Sequence, residues 1–319
     1  MSSSRRLAAI DIGTVTTRLL VADVDGDGVS EVLRSTDITH LGEGLSETGS
    51  LSDAAMGRVE AVIEGYAVEM SRLGVESYRA VATSASRDAA NGDMFARMLV
   101  RHGIDIEIVP GEVEATLAFA GATYGFTGSG LLVNDIGGGS TELVFGDASD
   151  GSPYPRVQFV RSIDVGSRRV TDGHLASDPP TGGELAGARQ WVLGRLEPYF
   201  AALPGTPRTS IALAGTATTL SAIHQGLAEY DPARVHGSVL GRADVEDLLE
   251  MLAALPLAER REVTGLHPGR AGVIVAGALV LDCVLELAGL DSTIVSEHDI
   301  LYGIVLDVYT GLESAGGRE

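Results

Sequence analysis

The chain has 319 residues, 45% hydrophobic and 21% charged, enough for two domains with sizeable cores. A net charge of −21 excludes nucleic acid as a general partner, because so acidic a chain lacks the basic face that neutralises phosphates. Any polyanionic ligand must therefore be met by a local basic pocket and cations acting against the overall field. The start, MSSSRRLAAIDIG, has too short an apolar run before Asp11 for a signal peptide. A single cysteine, Cys283, allows no internal disulfide and fits a reducing cytosol, so a cytoplasmic location is expected. Residues 271–290 are apolar but carry Asp282 and Glu286, which predicts a buried helix rather than a membrane span.

In chain order, residues 7–10 form an apolar run, followed by Asp11-Ile12-Gly13-Thr14-Val15-Thr16-Thr17 and a second apolar run at 19–22. This pattern predicts strand, tight turn, strand. Residues 31–39 read as another strand and 40–50 as a Gly-rich loop. Residues 53–73 place Ala55, Val59, Val62, Ile63, Tyr66, Ala67 and Met70 near helical spacing, with Ser52 or Asp53 as N-cap and Gly74 as the stop. A short strand at 79–82 runs into Thr83-Ser84-Ala85-Ser86-Arg87-Asp88. Ligands of alternating α/β proteins bind beyond strand carboxyl ends, so Thr83, Ser84 and Arg87 are candidates; an ordinary surface ion pair with Asp88 is the alternative for Arg87. A helix is predicted at 91–102 and a strand at 104–109, ending at Pro110-Gly111. The helix at 112–124 carries Glu112 and Glu114 in its first turn. Acidic residues there also complement the helix dipole, and two residues two apart do not share a face, so at most one serves a site.

The second half opens on LLVNDIGGGSTELVFGD, residues 131–147, again strand, turn and strand. Its turn, Gly137-Gly138-Gly139-Ser140, lets an anion approach the main chain, and successive N–H groups there make an anion-binding concavity. Asp135 at the rim is suited to hold a divalent cation. Laid against residues 11–23, six of thirteen positions are identical: Asp11/Asp135, Ile12/Ile136, Gly13/Gly137, Thr17/Thr141, Leu19/Leu143 and Asp23/Asp147. Two copies of one unit predict two domains of like topology facing each other across a cleft and gripping a phosphate from both sides. The boundary is expected in GFTGSG, residues 125–130, giving domains 1–128 and 129–319, with the last helix able to pack back on the first.

Further on, a strand at 157–163 leads to Asp164-Val165-Gly166-Ser167-Arg168-Arg169. A helix at 183–202 is expected to break near Pro198. The strand at 210–213 enters Ala214-Gly215-Thr216-Ala217-Thr218-Thr219, a small, hydroxyl-rich turn opening a helix. It reads either as a third anion contact at a helix N-terminus or as small residues permitting close packing. Helices follow at 244–254, 257–264 and 271–288, then a strand at 292–295, Ser296-Glu297-His298-Asp299, a helix at 300–309 and a frayed tail from 311.

Several of these motifs together resemble the Ppx/GppA phosphatase family of exopolyphosphatases and guanosine pentaphosphate phosphohydrolases: residues 9–14 (AIDIGT), 82–88 (ATSASRD), 111–115 (GEVEA), 135–142 (DIGGGSTE), 214–219 (AGTATT) and 274–278 (IVAGA). The resemblance runs from Ala9 to about Tyr309 and implies an α/β fold of two ribonuclease-H-like, actin-like ATPase domains, each a mixed sheet flanked by helices, with the active site in the interdomain cleft. It implies Glu114 as catalytic residue, with Val113 departing from the family's paired glutamates. It also implies that Asp11, Asp135, Gly137, Gly138, Gly139 and Ser140 line the phosphate site and that Arg87 binds the phosphate chain; Gly13, Thr14, Gly215 and Thr216 are expected as further phosphate contacts, with Arg18, Arg168 and Arg169 as further cations. Asp11 and Asp135 are the expected ligands of Mg²⁺ or another divalent or monovalent cation. The expected reaction is release of terminal phosphate from inorganic polyphosphate; the alternatives are guanosine pentaphosphate hydrolysis, a small-molecule kinase and an actin-like nucleotide-binding protein. No nucleic-acid or membrane partner is expected, and the apolar C-terminal helices admit a homodimer. Val15, His40 and Ser296–Asp299 depart from the family pattern and bear on chain-length preference.

Overall fold

The computed structural model describes residues 4–148 and 155–316. In the first unit, β1 (Arg5–Ile12), β2 (Thr16–Asp25) and β3 (Gly28–Ile38) form an antiparallel meander. A short α1 (Leu45–Thr48) follows in the expected loop, then α2 (Asp53–Leu73), which is capped by Ser52 accepting from the Ala55 N–H and is closed by left-handed Gly74. Next come β4 (Ser77–Ala82), α3 (Ser84–Asp88), α4 (Gly92–Leu99), β5 (Ile106–Ile108) and α5 (Gly111–Ala122). The helix expected at 91–102 ends its α-helical part at Leu99 and tightens into a 3₁₀ turn over Val100–His102.

In the second unit, β6 (Gly128–Ile136), β7 (Thr141–Ala148) and β8 (Arg156–Ile163) repeat the meander. Then come α6 (Ser167–His174), α7 (Gly182–Ala201), β9 (Thr209–Leu213), α8 (Ala214–His224), α9 (Pro232–Val235), β10 (Val239–Gly241), α10 (Arg242–Ala254), α11 (Leu257–Arg260), α12 (Ile274–Ala288) and β11 (Ser292–Val295). The final helix, α13 (Ile300–Gly316), extends well past the expected fraying point at 311.

The sheets share one plan. The first has the order β3-β2-β1-β4-β5, and the second, read from its antiparallel edge, β8-β7-β6-β9-β11 with β10 added. In each, the strand before the glycine turn lies centrally, antiparallel to its hairpin mate and parallel to the next strand. Even the register repeats: Asp11 faces Arg18 and Ile12 faces Thr17, while Asp135 faces Glu142 and Ile136 faces Thr141. The fold is thus α/β, two mixed sheets flanked by helices.

The compact units divide after Tyr124 rather than after residue 128, and α13 belongs with the first unit. The reason is apolar burial: Leu301, Tyr302, Ile304 and Val305 bury against Leu7, Leu20 and Leu117. Gly303 is the closest point of that packing. A Cβ there would lie 1.8 Å from the Leu117 carbonyl oxygen, a backbone atom that cannot swing aside. Gly303→Ala is expected to destabilise the fold by about 3 kcal/mol, measured by denaturant unfolding.

Two elements depart from expectation for local reasons. Pro198 does not break α7, which continues to Ala201; it sits in the last turn, and Thr181 and Glu184 fix the other end with a capping box. Helix α6 carries too few apolar residues to show a period; only Ser167 and Val170 are buried, and the element is held from its N-terminal end, as described below.

Candidate active site

The two glycine turns close identically. The Gly13 N–H donates to Thr16 O at 2.9 Å, and the Gly137 N–H to Ser140 O at 3.0 Å. Those two N–H groups are therefore spent inside their turns. In the second turn three carbonyls are held as well. Gly137 O accepts from Ser167 N and Oγ, Gly138 O from the N–H groups of Arg168 and Arg169, and Gly139 O from Arg169 Nε, at 2.9–3.1 Å. In a trans peptide the C=O of one residue opposes the N–H of the next. Fixing these carbonyls on the start of α6 therefore turns the N–H groups of Gly138, Gly139 and Ser140 to the opposite side. No backbone carbonyl among the described residues accepts from them. Successive N–H groups aimed to one side in this way have the form of a nest, which suits an anion, and the helix behind holds it in shape.

Gly166, the N-cap of α6, makes the arrangement feasible: a Cβ there would stand 2.5 Å from Gly138 O. A cavity of ≈ 260 Å³ opens on the turn, lined by Ile136, Gly137, Gly138, Ser167, Arg168, Ala214, Gly215, Thr216, Arg270, Val273 and Ile274. Ala214 takes up a left-handed conformation, φ 58°, at the start of α8; a non-glycine residue so placed stores strain, a frequent property of functional turns. Arg270 lies directly over Gly215, where a Cβ would fall 1.1 Å from Nη1. Sequence reasoning missed Arg270; the turn His267-Pro268-Gly269 ahead of an apolar helix was its one signal. Thr216 is buried, and its Oγ1 donates to Ile136 O at 3.1 Å. Gly215 and Thr216 both border the cavity, with the Thr216 hydroxyl bonded to the end of β6.

The aspartates at the two turns differ in their facing partners. Asp11, 3% exposed, receives Arg18 Nε at 3.0 Å and Nη2 at 2.5 Å. Both contacts fall on Oδ2, so Arg18 is engaged through one oxygen of the carboxylate. Asp135 instead faces Glu142, a second half-buried carboxylate on the same face, to which Ser162 Oγ donates at 2.6 Å. Like charges opposed across a strand pair attract a cation. Among the described residues no group of three or more His, Cys, Asp or Glu could cage a metal. Two carboxylates are nonetheless the donor set that suits Mg²⁺, which dehydrates reluctantly and shares its shell with substrate phosphates. Glu142 is thus a candidate that single-strand reading did not reach.

In the first unit, Thr83, Ser84 and Arg87 do leave the carboxyl end of β4. The Thr83 N–H donates to Ile12 O at 3.1 Å, and the hydroxyls of Thr14 and Ser84 are 2.8 Å apart, so this segment is tied to the first glycine turn. The main partner of Arg87 is Glu114 rather than Asp88. Its Nη1 lies 3.0 Å from Glu114 Oε2 and donates to Val109 O at 3.0 Å, whereas Asp88 is 4.0 Å from Nε. Glu112 is exposed and Glu114 half-buried, as two residues without a common face should be. Arg169 is held by Asp164 and Gly139 O, and Arg168 lies 3.9 Å from Asp172 while lining the cavity.

Other chemistry is limited. Cys283 is buried, and burial pushes its thiol up to about 12, so it is no nucleophile at neutral pH. In segment Ser296–Asp299 the His298 N–H donates to Ser296 Oγ at 3.1 Å, His298 packs against His236 at 3.8 Å between ring centroids, and Tyr230 donates to Glu297. His40 adopts φ 47°, and its carbonyl is braced by Arg58 at 3.0 Å. No helix of the described residues is long and apolar enough to cross a membrane.

Comparison with known proteins gives this geometry a family. Residues 20–309 match the model of the Ppx/GppA phosphatase family. The chain belongs to the Ppx/GppA phosphatase family. It is 40% identical to Exopolyphosphatase 2 of Mycobacterium tuberculosis over 95% of this chain and 98% of that one. The crystal structure of the Aquifex aeolicus Ppx/GppA phosphatase, type II variant, superposes with a TM-score of 0.86 at 31% identity, over 95% of this chain and 99% of that one. An exopolyphosphatase from Cytophaga hutchinsonii superposes with a TM-score of 0.78 at 25% identity, over 97% and 98%. This Ppx/GppA member is accordingly a phosphohydrolase, and its duplicated sheets are those of the family.

Proposed function

We propose that this Ppx/GppA member is an exopolyphosphatase-type enzyme that releases the terminal phosphate of inorganic polyphosphate, with Glu114 assisting the attacking water. The observation that carries the reading is the Arg87–Glu114 pair, a carboxylate held 3.0 Å from a guanidinium at a strand carboxyl end. A nucleotide-holding relative needs phosphate loops but no such pair. A small-molecule kinase needs a site for an acceptor hydroxyl, which nothing in the described residues favours.

Phosphoryl transfer asks little covalent work of a protein, so catalysis rests on positioning and charge stabilisation. The N–H groups of Gly138, Gly139 and Ser140 cradle phosphate oxygens, with Arg270 and Arg168 supplying charge beside them. Arg87 binds phosphate in the first unit. Glu114 accepts the proton of the attacking water as the terminal P–O bond breaks, and the shortened chain leaves as an anion. Asp135 and Glu142 would hold Mg²⁺, which when bound neutralises phosphate oxygens. Asp11 serves chiefly to fix Arg18.

The test is phosphate release from polyphosphate, guanosine pentaphosphate and ATP. Polyphosphate is expected to be cleaved in the presence of Mg²⁺ and not with excess EDTA. No release from any of the three would overturn the proposal, and release from guanosine pentaphosphate alone would move the enzyme to the alarmone branch.

A further inference from the structure

We infer that Arg87 has a second task besides holding phosphate: it positions Glu114 relative to the phosphate it grips, as a rigid spacer between base and substrate. The inference rests on the phosphohydrolase reading above and concerns the same site.

A guanidinium carries five N–H donors in one plane. Here Nη1 is fully committed, donating to Val109 O at the end of β5 and to Glu114 in the first turn of α5, both at 3.0 Å. Nε and Nη2 make no hydrogen bond among the described residues; Asp88, 66% exposed, stands 4.0 Å from Nε, beyond hydrogen-bond reach. The group thus has one occupied corner and one open edge, and the Nε–Nη2 edge is the fork that receives two oxygens of a phosphate.

Two neighbours set the plane. Gly111, at the start of α5, presents no side chain, and even a Cβ there would stand 3.9 Å from Cζ and Nη2, so the guanidinium lies against backbone. The Val109 carbonyl is uncharged and fixed by the strand end, so it keeps Nη1 in place whatever enters at the other edge. A phosphate taken by Nε and Nη2 then sits on the far side of a planar group whose near corner holds the Glu114 carboxylate. Effective positioning of a base requires tolerances well below an ångström, and a planar cation bonded to both parties supplies that directly.

Lysine tests this, because it keeps the charge but has neither plane nor fork. Arg87→Lys is expected to keep KM for polyphosphate within about threefold of wild type while kcat falls by about 10²-fold. Arg87→Met should lower kcat to the same extent and raise KM by a further tenfold or more. In the Arg87→Met background, Glu114→Gln should cost less than about fivefold in kcat, against its full effect in wild type, because a base without its spacer is already misplaced. Unfolding transitions matching the wild type establish that each variant is folded. The inference is overturned if Arg87→Lys retains the wild-type kcat, if its loss lies in KM alone, or if the two substitutions multiply independently. A wild-type protein that binds tripolyphosphate but releases no phosphate from any substrate would overturn the hydrolase reading and this inference with it. Active wild type with independent substitutions would overturn only the spacer.

Discussion

Glu114→Gln is expected to slow phosphate release from polyphosphate by about 10²–10⁴-fold, the range a positioned general base contributes, with KM changed far less. The amide keeps the size of the side chain and one acceptor oxygen for Arg87, so the fold and the phosphate contacts survive while the proton acceptor is lost. The neighbouring acid provides the control. Glu112 is exposed, and its backbone carbonyl accepts from Thr116 Oγ1 in an ordinary helical contact, so Glu112→Gln should leave the rate within about twofold of wild type. Initial-rate measurements on both variants decide the matter. A Glu114→Gln enzyme as active as wild type, or a Glu112→Gln enzyme equally disabled, would remove Glu114 from the mechanism.

The second large effect is expected at a residue that touches no substrate. Gly166→Ala drives a Cβ to 2.5 Å from Gly138 O and 2.6 Å from the carbonyl carbons of Gly138 and Gly139. Neither carbonyl can yield without turning the peptide planes that aim the N–H groups of Gly138, Gly139 and Ser140. The φ of Gly166 is −143°, in the ordinary extended region, so the obstacle is space and not backbone conformation. The loss of fold stability should be about 1–3 kcal/mol, whereas kcat/KM for polyphosphate should fall by 10²-fold or more because several donors move together. Binding of tripolyphosphate by calorimetry separates the two effects. A folded Gly166→Ala protein that binds it as tightly as wild type would show that the nest is not the anion site.

Asp11 and Asp135 illustrate how far one sequence can be read. Both lie at the same place in a repeated motif, and on sequence they are equivalent metal ligands. The structure separates them through the residue opposite, Arg18 in one hairpin and Glu142 in the other. Both hairpins share one register, which brings these residues opposite, so the identity of the facing residue makes the difference. Arg87 was a candidate from its place at a strand end, whereas Glu114 was separated from Glu112 only by the family resemblance, and their pairing needed β4, β5 and α5 to come together. Arg270 was illegible because a single arginine in a Pro-Gly turn carries no periodic signal. Its importance lies in packing over Gly215, 55 residues earlier in the chain.

The sequence by itself determined the strand–turn–strand units, their duplication and the order of most α and β elements, because these follow from local periodicity and from glycine turns. Tertiary structure alone decided which loop N–H groups remain available, that Arg270 packs over Gly215, and that α13 belongs with the first unit. Each of these depends on a partner far away in sequence, and long-range partners are chosen by packing, which no local pattern encodes.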